Sequence, residues 1–160
     1  MSMRSKIGAG IIAGLLAGIV FGILMHRIST PSPMGGQMPM MAMMARVVRS
    51  DHLVAGWMYL LVNSLVMGAI FGLALGDRAR ELGQGLVWGA LYGLVLWLLG
   101  TLVLMPLLLG MEVFAPLTME PMRHGAWLSL AAHLLSGLLL GGAFTVLVRR
   151  VGPAPPISRT

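Results

Sequence analysis

The chain has 160 residues, of which 58% are hydrophobic and 10% charged, and its net charge is +6. Soluble domains carry about 25% charged residues, and one this short could not bury so much apolar surface. The composition therefore excludes an ordinary soluble protein and indicates one that lies in a lipid bilayer. Cysteine is absent, which excludes disulfides, thiolate metal sites and cysteine nucleophiles.

Four apolar runs are each long enough to cross a hydrocarbon core of about 30 Å as a helix. They cover residues 7–25, 53–76, 82–110 and 125–148. The first run is longer than the apolar part of a signal peptide, and no clear cleavage site follows it, so we expect it to be retained. The sequence predicts an all-α polytopic membrane protein, a four-helix transmembrane bundle.

The loop after the first span contains QMPMMAMMAR at residues 37–46, with five methionines in ten positions. Pro39 suits the first turn of a helix, which predicts a short helix over about residues 39–49. On a helical wheel Arg46 and Arg49 share one arc and apolar residues occupy the rest, as is typical of an interfacial helix. Thioethers also suit copper(I), and the weak metal candidates are Met40, Met43 and Met44.

The loop before the fourth span contains PLTMEPMRHG at residues 116–125. Its methionines and prolines make it a counterpart of the first loop, and we expect both segments to cover the outer face. The turn DRARE at residues 77–81 is short and charged. The second and third spans are therefore expected to be antiparallel neighbours.

Basic residues flank the spans unequally. One side, which holds both termini, carries seven of them: Arg4, Lys6, Arg78, Arg80, Arg149, Arg150 and Arg159. The other side carries four: Arg27, Arg46, Arg49 and Arg123. Because basic loops stay in the cytoplasm, we expect a bacterial inner-membrane protein whose N-terminus (residues 1–6) and flexible tail (149–160) are both cytoplasmic. The basic residues are thus interpreted as topology signals, with no role in nucleic-acid binding.

The motif GLLAGIVFG at residues 14–22 recurs 71 residues later as GLVWGALYG at residues 85–93. Three glycines, a leucine and an aromatic residue stay in register. A tryptophan and a glycine of the second span likewise recur 70 residues later in the fourth. We interpret the chain as two parallel helix-pair repeats, residues 7–76 and 82–148.

Small residues recur every four positions in the spans and so line one face of each helix. In lipid, such faces let helix backbones approach closely. This predicts helix-packing contacts at Gly10, Gly14, Gly18, Gly22, Gly68, Gly72, Gly76, Gly85, Gly89, Gly93, Gly137 and Gly141.

The offset of 70 residues aligns Asn63 with His133, which lies about 12 Å deep in the fourth span. An ionisable side chain at that depth is costly and points to a function. Imidazole could ligate haem or a metal, relay a proton or bond to a quinone. The alternative is an interhelical hydrogen bond from His133 to Asn63, Ser129 or Ser136.

The two repeats could enclose a cavity between them, covered on the outer side by the two methionine-rich segments. The spans that would border this cavity carry a few polar or polarisable side chains. The predicted ligand-binding residues are His133, Asn63, Met67 and Tyr92.

Catalytic motifs are absent from the sequence. No two acidic residues have a spacing typical of acid–base catalysis, and no serine-hydrolase, zinc-protease or phosphate-loop motif occurs. His26, His52 and His124 lie near outer span ends, fit no metal-ligand motif and are interpreted as solvated. The sequence thus favours a protein that is not an enzyme, and it identifies no cofactor.

Three stretches, GLVWGALYGLVLW, MPLLLGMEVF and HLLSGLLLGGAF with His133, give the chain a family resemblance. Over residues 8–148 it resembles a bacterial family of small four-span membrane proteins of unknown function. The resemblance implies the fold and the membrane location but no activity. The family often has a histidine where this chain has Asn63, a departure that weakens any mechanism based on paired histidines.

These features favour a non-catalytic membrane subunit that binds a ligand or packs with partner membrane proteins or further copies of itself. One alternative is a small oligomeric transporter or channel with its path at the repeat interface. Another is a membrane redox subunit that holds haem, a quinone or copper.

Overall fold

The computed structural model describes residues 2–31 and 36–151. The elements are, in chain order, α1 (Met3–Arg27), β1 (Ser29–Pro31), β2 (Gln37–Pro39), α2 (Met40–Val47), α3 (Leu53–Leu75), α4 (Leu82–Leu96), a π-helix (Trp97–Leu104), α5 (Met105–Leu108), α6 (Ala115–Thr118) and α7 (Glu120–Val151). The segment from α4 to α5 is one continuous helix, Leu82–Leu108, and we call it the third long helix.

The described residues contain four helices that are long and apolar enough to cross a membrane: α1, α3, the third long helix and α7. This confirms the prediction of a mostly helical chain with four candidate membrane-spanning helices. The short strands β1 and β2 depart from the all-α prediction. α7 begins at Glu120, five residues before the predicted start of the fourth span. Pro121 suits a first helical turn, and the Glu120 carboxylate favours a helix N-terminus.

Polar contacts gather the start of α1, the turn after α3 and the end of α7 at one end of the bundle, which we call the terminal end. Lys6 and Arg80 both form ion pairs with Asp77, and Arg149 Nε donates to the carbonyl oxygen of Arg80 at 3.3 Å. The opposite end carries α2 and α6, and we call it the loop end.

Glycine faces set the helix pairing. α1 packs along α3, α4 packs along α7, and α1 against α7 joins the two pairs. A Cβ added at Gly10 would overlap the backbone of Gly68, and one at Gly89 would overlap that of Gly137. At eleven of the twelve glycines predicted to pack helices, a Cβ would overlap a neighbouring helix or its side chains, whereas at Gly76 it would overlap mainly the carbonyl oxygen of Gly72 in α3 itself. Close approach in both pairs therefore depends on the missing side chains.

If the two helix pairs packed alike, each contact between α1 and α3 would recur about 70 residues later between α4 and α7. The contacts do not recur in this way. Gly14 lies against the backbone of Ser64, so the repeat would place its counterpart, Gly85, against residue 134, which is 70 positions after Ser64. Gly85 lies instead against Gly141, seven residues further along α7. The duplication stays a prediction from the sequence.

The methionine-rich segment folds onto the protein. β1 and β2 form an antiparallel hairpin in which Thr30 pairs with Met38, and β2 leads directly into α2. α2 crosses the start of α3, where Gly56 lies against the backbone of Met41. Met41 and Met43 are buried. The predicted helix over residues 39–49 is thus present as Met40–Val47, with its methionines packed against the bundle.

The third long helix widens into the π-helix just before Pro106. Proline has no N–H, so the carbonyl oxygen of Leu102 lacks its usual helical donor. The backbone N–H of Phe114, in the following loop, bonds to that oxygen at 2.9 Å. The loop is thereby tied to the helix at the point where the regular α pattern is interrupted.

Candidate functional site: a cleft between two helix pairs

A cleft of about 450 Å³ lies between α3 and the third long helix. Residues of α1 and α7 form its floor, since these two helices pack against each other behind it. Met40, Met44 and Val47 of α2 line it at the loop end. Its volume falls within the range of about 300–1,000 Å³ that is usual for small-molecule sites.

Aromatic side chains limit the cleft toward the terminal end. The Tyr92 hydroxyl donates to the carbonyl oxygen of Met67 at 2.9 Å, which ties the third long helix to α3. The rings of Phe71 and Tyr92 pack edge to face at 5.4 Å, and those of Phe71 and Phe144 do so at 5.5 Å. Phe71 and Phe144 are fully buried, so the cleft ends at this cluster.

All four residues predicted to bind a ligand line this one cleft. Asn63 and Met67 come from α3, Tyr92 comes from α4, and His133 comes from α7. They reach it because the glycine faces bring α1 to α3 and α4 to α7. The residues on α3 and α4 that border the gap lie beside these faces, and Gly68 and Gly93 also line it.

His133 is oriented by its own helix. Its Nδ1 lies 2.8 Å from the carbonyl oxygen of Ser129, one turn earlier, and a carbonyl oxygen can only accept a hydrogen bond. Nδ1 therefore carries the hydrogen in the neutral ring, and the lone pair is on Nε2. The ring of Phe21, on α1, packs edge to face on the imidazole at 4.6 Å. Nε2 is thus available to accept a hydrogen bond or to ligate a metal.

The alternative of a hydrogen bond between helices from His133 to Asn63 or Ser136 is not found, and the bond from His133 to Ser129 lies within α7. Asn63 Nδ2 donates to the carbonyl oxygen of Tyr59 within α3 at 2.9 Å, and the bond between His133 and Ser129 stays within α7. Side-chain bonds between the long helices come instead from Tyr92, from Trp97, whose Nε1 donates to the carbonyl oxygen of Ala126 at 3.2 Å, and from Ser136, whose hydroxyl donates to the carbonyl oxygen of Ala17 at 3.2 Å. The hydrogen bonds of the Asn63 and His133 side chains therefore stay within their own helices.

The lining of the cleft is apolar and uncharged. Among the described residues that line it there is no Asp, Glu, Lys or Arg. A charged ligand would therefore lose its hydration without gaining a partner charge, which is costly. A few hydroxyl, amide and imidazole groups are the polar contribution: Tyr59, Asn63, Ser64, Tyr92, Thr101, Ser129, His133 and Ser136. This lining suits a neutral, mostly apolar molecule with one or two polar groups.

No protein-family model, no curated protein and no solved structure matches the chain. The resemblance to a four-span membrane family therefore stays a prediction.

The weak metal candidates of α2 do not share one site. Met44 lines the cleft, Met43 lines a separate small cavity beside it, and Met40 lines both. In the part of the chain that the structure describes, no three His, Cys, Asp or Glu residues are grouped to hold a metal ion. His26, His52 and His124 lie at the surface of the chain.

Sequence reasoning missed the wall of the cleft on the third long helix. Val95, Leu96, Leu99 and Leu104 line it, and three of them fall in or next to the π-helix. Because a π-helix has more residues per turn than an α-helix, spacing four residues apart does not identify which of these leucines face the gap. Thr101, buried on the same wall, was also missed.

Proposed function

We propose that the protein is a non-catalytic membrane subunit that binds one neutral, mostly apolar small molecule bearing a hydroxyl group. The observation that carries the proposal is the uncharged cleft of about 450 Å³ whose lining includes His133. The ligand hydroxyl would donate to His133 Nε2, and its apolar part would lie against the methionines and leucines of α2, α3 and the third long helix.

The size of the cleft favours a small molecule over a helix from a partner protein. A membrane-spanning helix is about 30 Å long and about 10 Å wide, which corresponds to a volume several times that of the cleft. Partner subunits or further copies of the chain would instead contact its outer faces. Those faces carry exposed aliphatic side chains such as Val54, Val62 and Val66.

The basic residues support a placement in the bilayer. Lys6, Arg78 and Arg149 lie at the terminal end, which we propose faces the cytoplasm of a bacterial cell with the chain in the inner membrane. α2 and α6 would then lie at the outer face. The cleft would open within the outer half of the bilayer, and lipid-soluble molecules could reach it from the side.

A binding subunit fits better than the alternatives. A transporter needs access from both sides, whereas the cluster of Phe71, Tyr92 and Phe144 ends the cleft on one side. Haem held by two histidines does not fit, because among the described residues His133 is the one histidine that lines the cleft. Quinols remain within the proposed ligand class, since they carry hydroxyl groups on an apolar molecule.

A photoreactive long-chain alcohol with a diazirine in its chain tests the proposal on the full chain in lipid nanodiscs. We expect saturable labelling of residues that line the cleft, located to single residues by tandem mass spectrometry. These include Tyr59, Asn63 and Met67 on α3 and Leu96 on the third long helix. Excess unlabelled alcohol should displace the label. Labelling confined to lipid-facing positions such as Val62, with no effect of the competitor, would contradict the proposal.

A further inference from the structure

A second, smaller cavity lies at the loop end beside the cleft, with a volume of about 20 Å³. Five methionines line it: Met40, Met43, Met105, Met111 and Met122. They come from four separate segments, namely α2, α5, the loop after α5 and α7. Their convergence is therefore a product of the fold, and the sequence pattern of α2 alone does not reveal it.

The cavity has the size and the lining of a site for one soft cation. Its volume is close to that of a single water molecule or ion. A buried water needs two to four good polar partners, but the lining offers two threonine hydroxyls, Thr30 and Thr101, among thioethers and aliphatic groups. Thioether sulfur is a weak hydrogen-bond acceptor but a good ligand for copper(I) and other soft ions.

The position of the cavity also suits a positive charge. Pro106 and Leu109 in its lining mark the C-terminal end of the third long helix, where the backbone carbonyls make the helix dipole negative. Methionine at such a place could simply fill an irregular gap. Gap filling by itself, however, does not require thioethers from four segments around one ion-sized cavity.

We propose that this cavity binds one soft monovalent cation, copper(I) or silver(I), through methionine sulfur atoms. The site is distinct from the function proposed for the cleft and does not depend on it. Met43, Met111 and Met122 line only the small cavity, whereas Met44 lines only the cleft. These residues therefore allow the two sites to be tested separately.

The test uses the full chain without a polyhistidine tag, in detergent and chloride-free buffer. Silver(I) is added, unbound metal is removed, and the silver retained is measured by mass spectrometry. We expect about one silver ion per chain in the wild type and in the control Met44→Leu, and clearly less in Met43→Leu/Met111→Leu/Met122→Leu, which removes the three methionines that line only the small cavity. Leucine keeps the side-chain volume, and thermal unfolding checks that the variants fold.

Retention of silver at the wild-type level by the triple variant, or loss of silver from His133→Leu, would overturn the proposal. X-ray absorption of the copper(I)-loaded wild type gives a test that needs no variant. We expect sulfur neighbours alone around copper, and a shell of nitrogen or oxygen neighbours would contradict the site. Because thioethers do not titrate between pH 5 and 8, silver binding should also be constant over that range.

Discussion

His133 donates from Nδ1 to the carbonyl oxygen of Ser129, and this bond determines what the ring offers to a ligand. A histidine in an apolar span could be recognised from the sequence as a candidate functional residue. Its hydrogen-bond partner could not, because Ser129, Ser136 and Asn63 were all within reach of plausible helix arrangements. The structure separates these possibilities, since Ser136 bonds to α1 and Asn63 bonds within α3.

Replacing the imidazole should weaken binding of a hydroxyl-bearing ligand. A neutral hydrogen bond contributes about 0.5–1.5 kcal/mol, so we expect His133→Leu to reduce affinity for the photoreactive alcohol about 2- to 10-fold. The matching diazirine alkane, which lacks the hydroxyl, should bind the variant and the wild type equally. His124→Leu, at an exposed position of α7, serves as the control. If His133→Leu reduced the affinity for the alcohol and for the alkane equally, His133 would affect only the shape of the cleft and would not bond to the hydroxyl.

Asp77 gives a prediction about pH at the terminal end. Hydrogen bonds from Lys6 and Arg80 lower the pKa of this carboxyl from 3.8 to about 2. The pKa of Asp77 is lower in the folded protein than in the unfolded chain. The ionised carboxylate therefore stabilises the fold above about pH 4, and this stabilisation is lost as the pH falls toward 2. The difference in melting temperature between wild type and Asp77→Asn should therefore be small and constant from pH 7 to 4, then vanish.

Thermal unfolding in detergent between pH 2 and 7 measures this difference, with Asp51→Asn at an exposed loop position as the control. The effect should be small, because Asp77 is solvent-exposed and surface ion pairs contribute little. A difference that grows as the pH falls below 4 would contradict the assignment of Lys6 and Arg80 as its partners.

At the scale of elements, the glycine faces decide which helices pair. Gly89 and Gly83 lie on the same helix, but a Cβ at Gly89 would overlap the Gly137 backbone, while one at Gly83 would meet nothing within 4 Å. We expect Gly89→Ala to destabilise the fold by about 1–3 kcal/mol, as overpacking does. Gly83→Ala should be neutral or stabilising by up to about 1 kcal/mol, since alanine favours helices.

Melting temperatures of the two alanine variants in the same detergent, against the wild type, test this contrast. Similar melting temperatures for both variants would show that α4 and α7 do not approach closely at Gly89.

The long helices could be predicted from the sequence, whereas the π-helix and the hairpin could not. Apolar runs of 19 or more residues and glycines four apart specify long, closely packed helices with little ambiguity. The π-helix before Pro106 has no periodic signature of its own. The hairpin that pairs Thr30 with Met38 was hidden because its strands are three residues long and rich in breakers.

At the scale of the molecule, the cleft is a consequence of how the pairs join. α1 packs on α7 between the pairs, and α3 and α4 stand apart across the gap, with Tyr92 bonded to Met67 at its inner limit. The sequence identified Asn63, Met67 and Tyr92 as candidate binding residues because few polar or polarisable side chains occur in the spans. The volume of the cleft and the leucines on its wall could not be predicted, because both depend on how the four apolar helices are arranged side by side.

The central claim is that the cleft holds a neutral apolar molecule in the cell. Native mass spectrometry of the protein, released from the membranes in which it is expressed, tests this directly. We expect one bound small molecule per chain in the wild type and in Val62→Phe, whose side chain lies on the exposed face of α3 and is 58% accessible. Asn63→Phe, one residue along and inside the cleft, should carry none. An adduct that persists in Asn63→Phe at the wild-type level, or is absent from the wild type, would contradict the account.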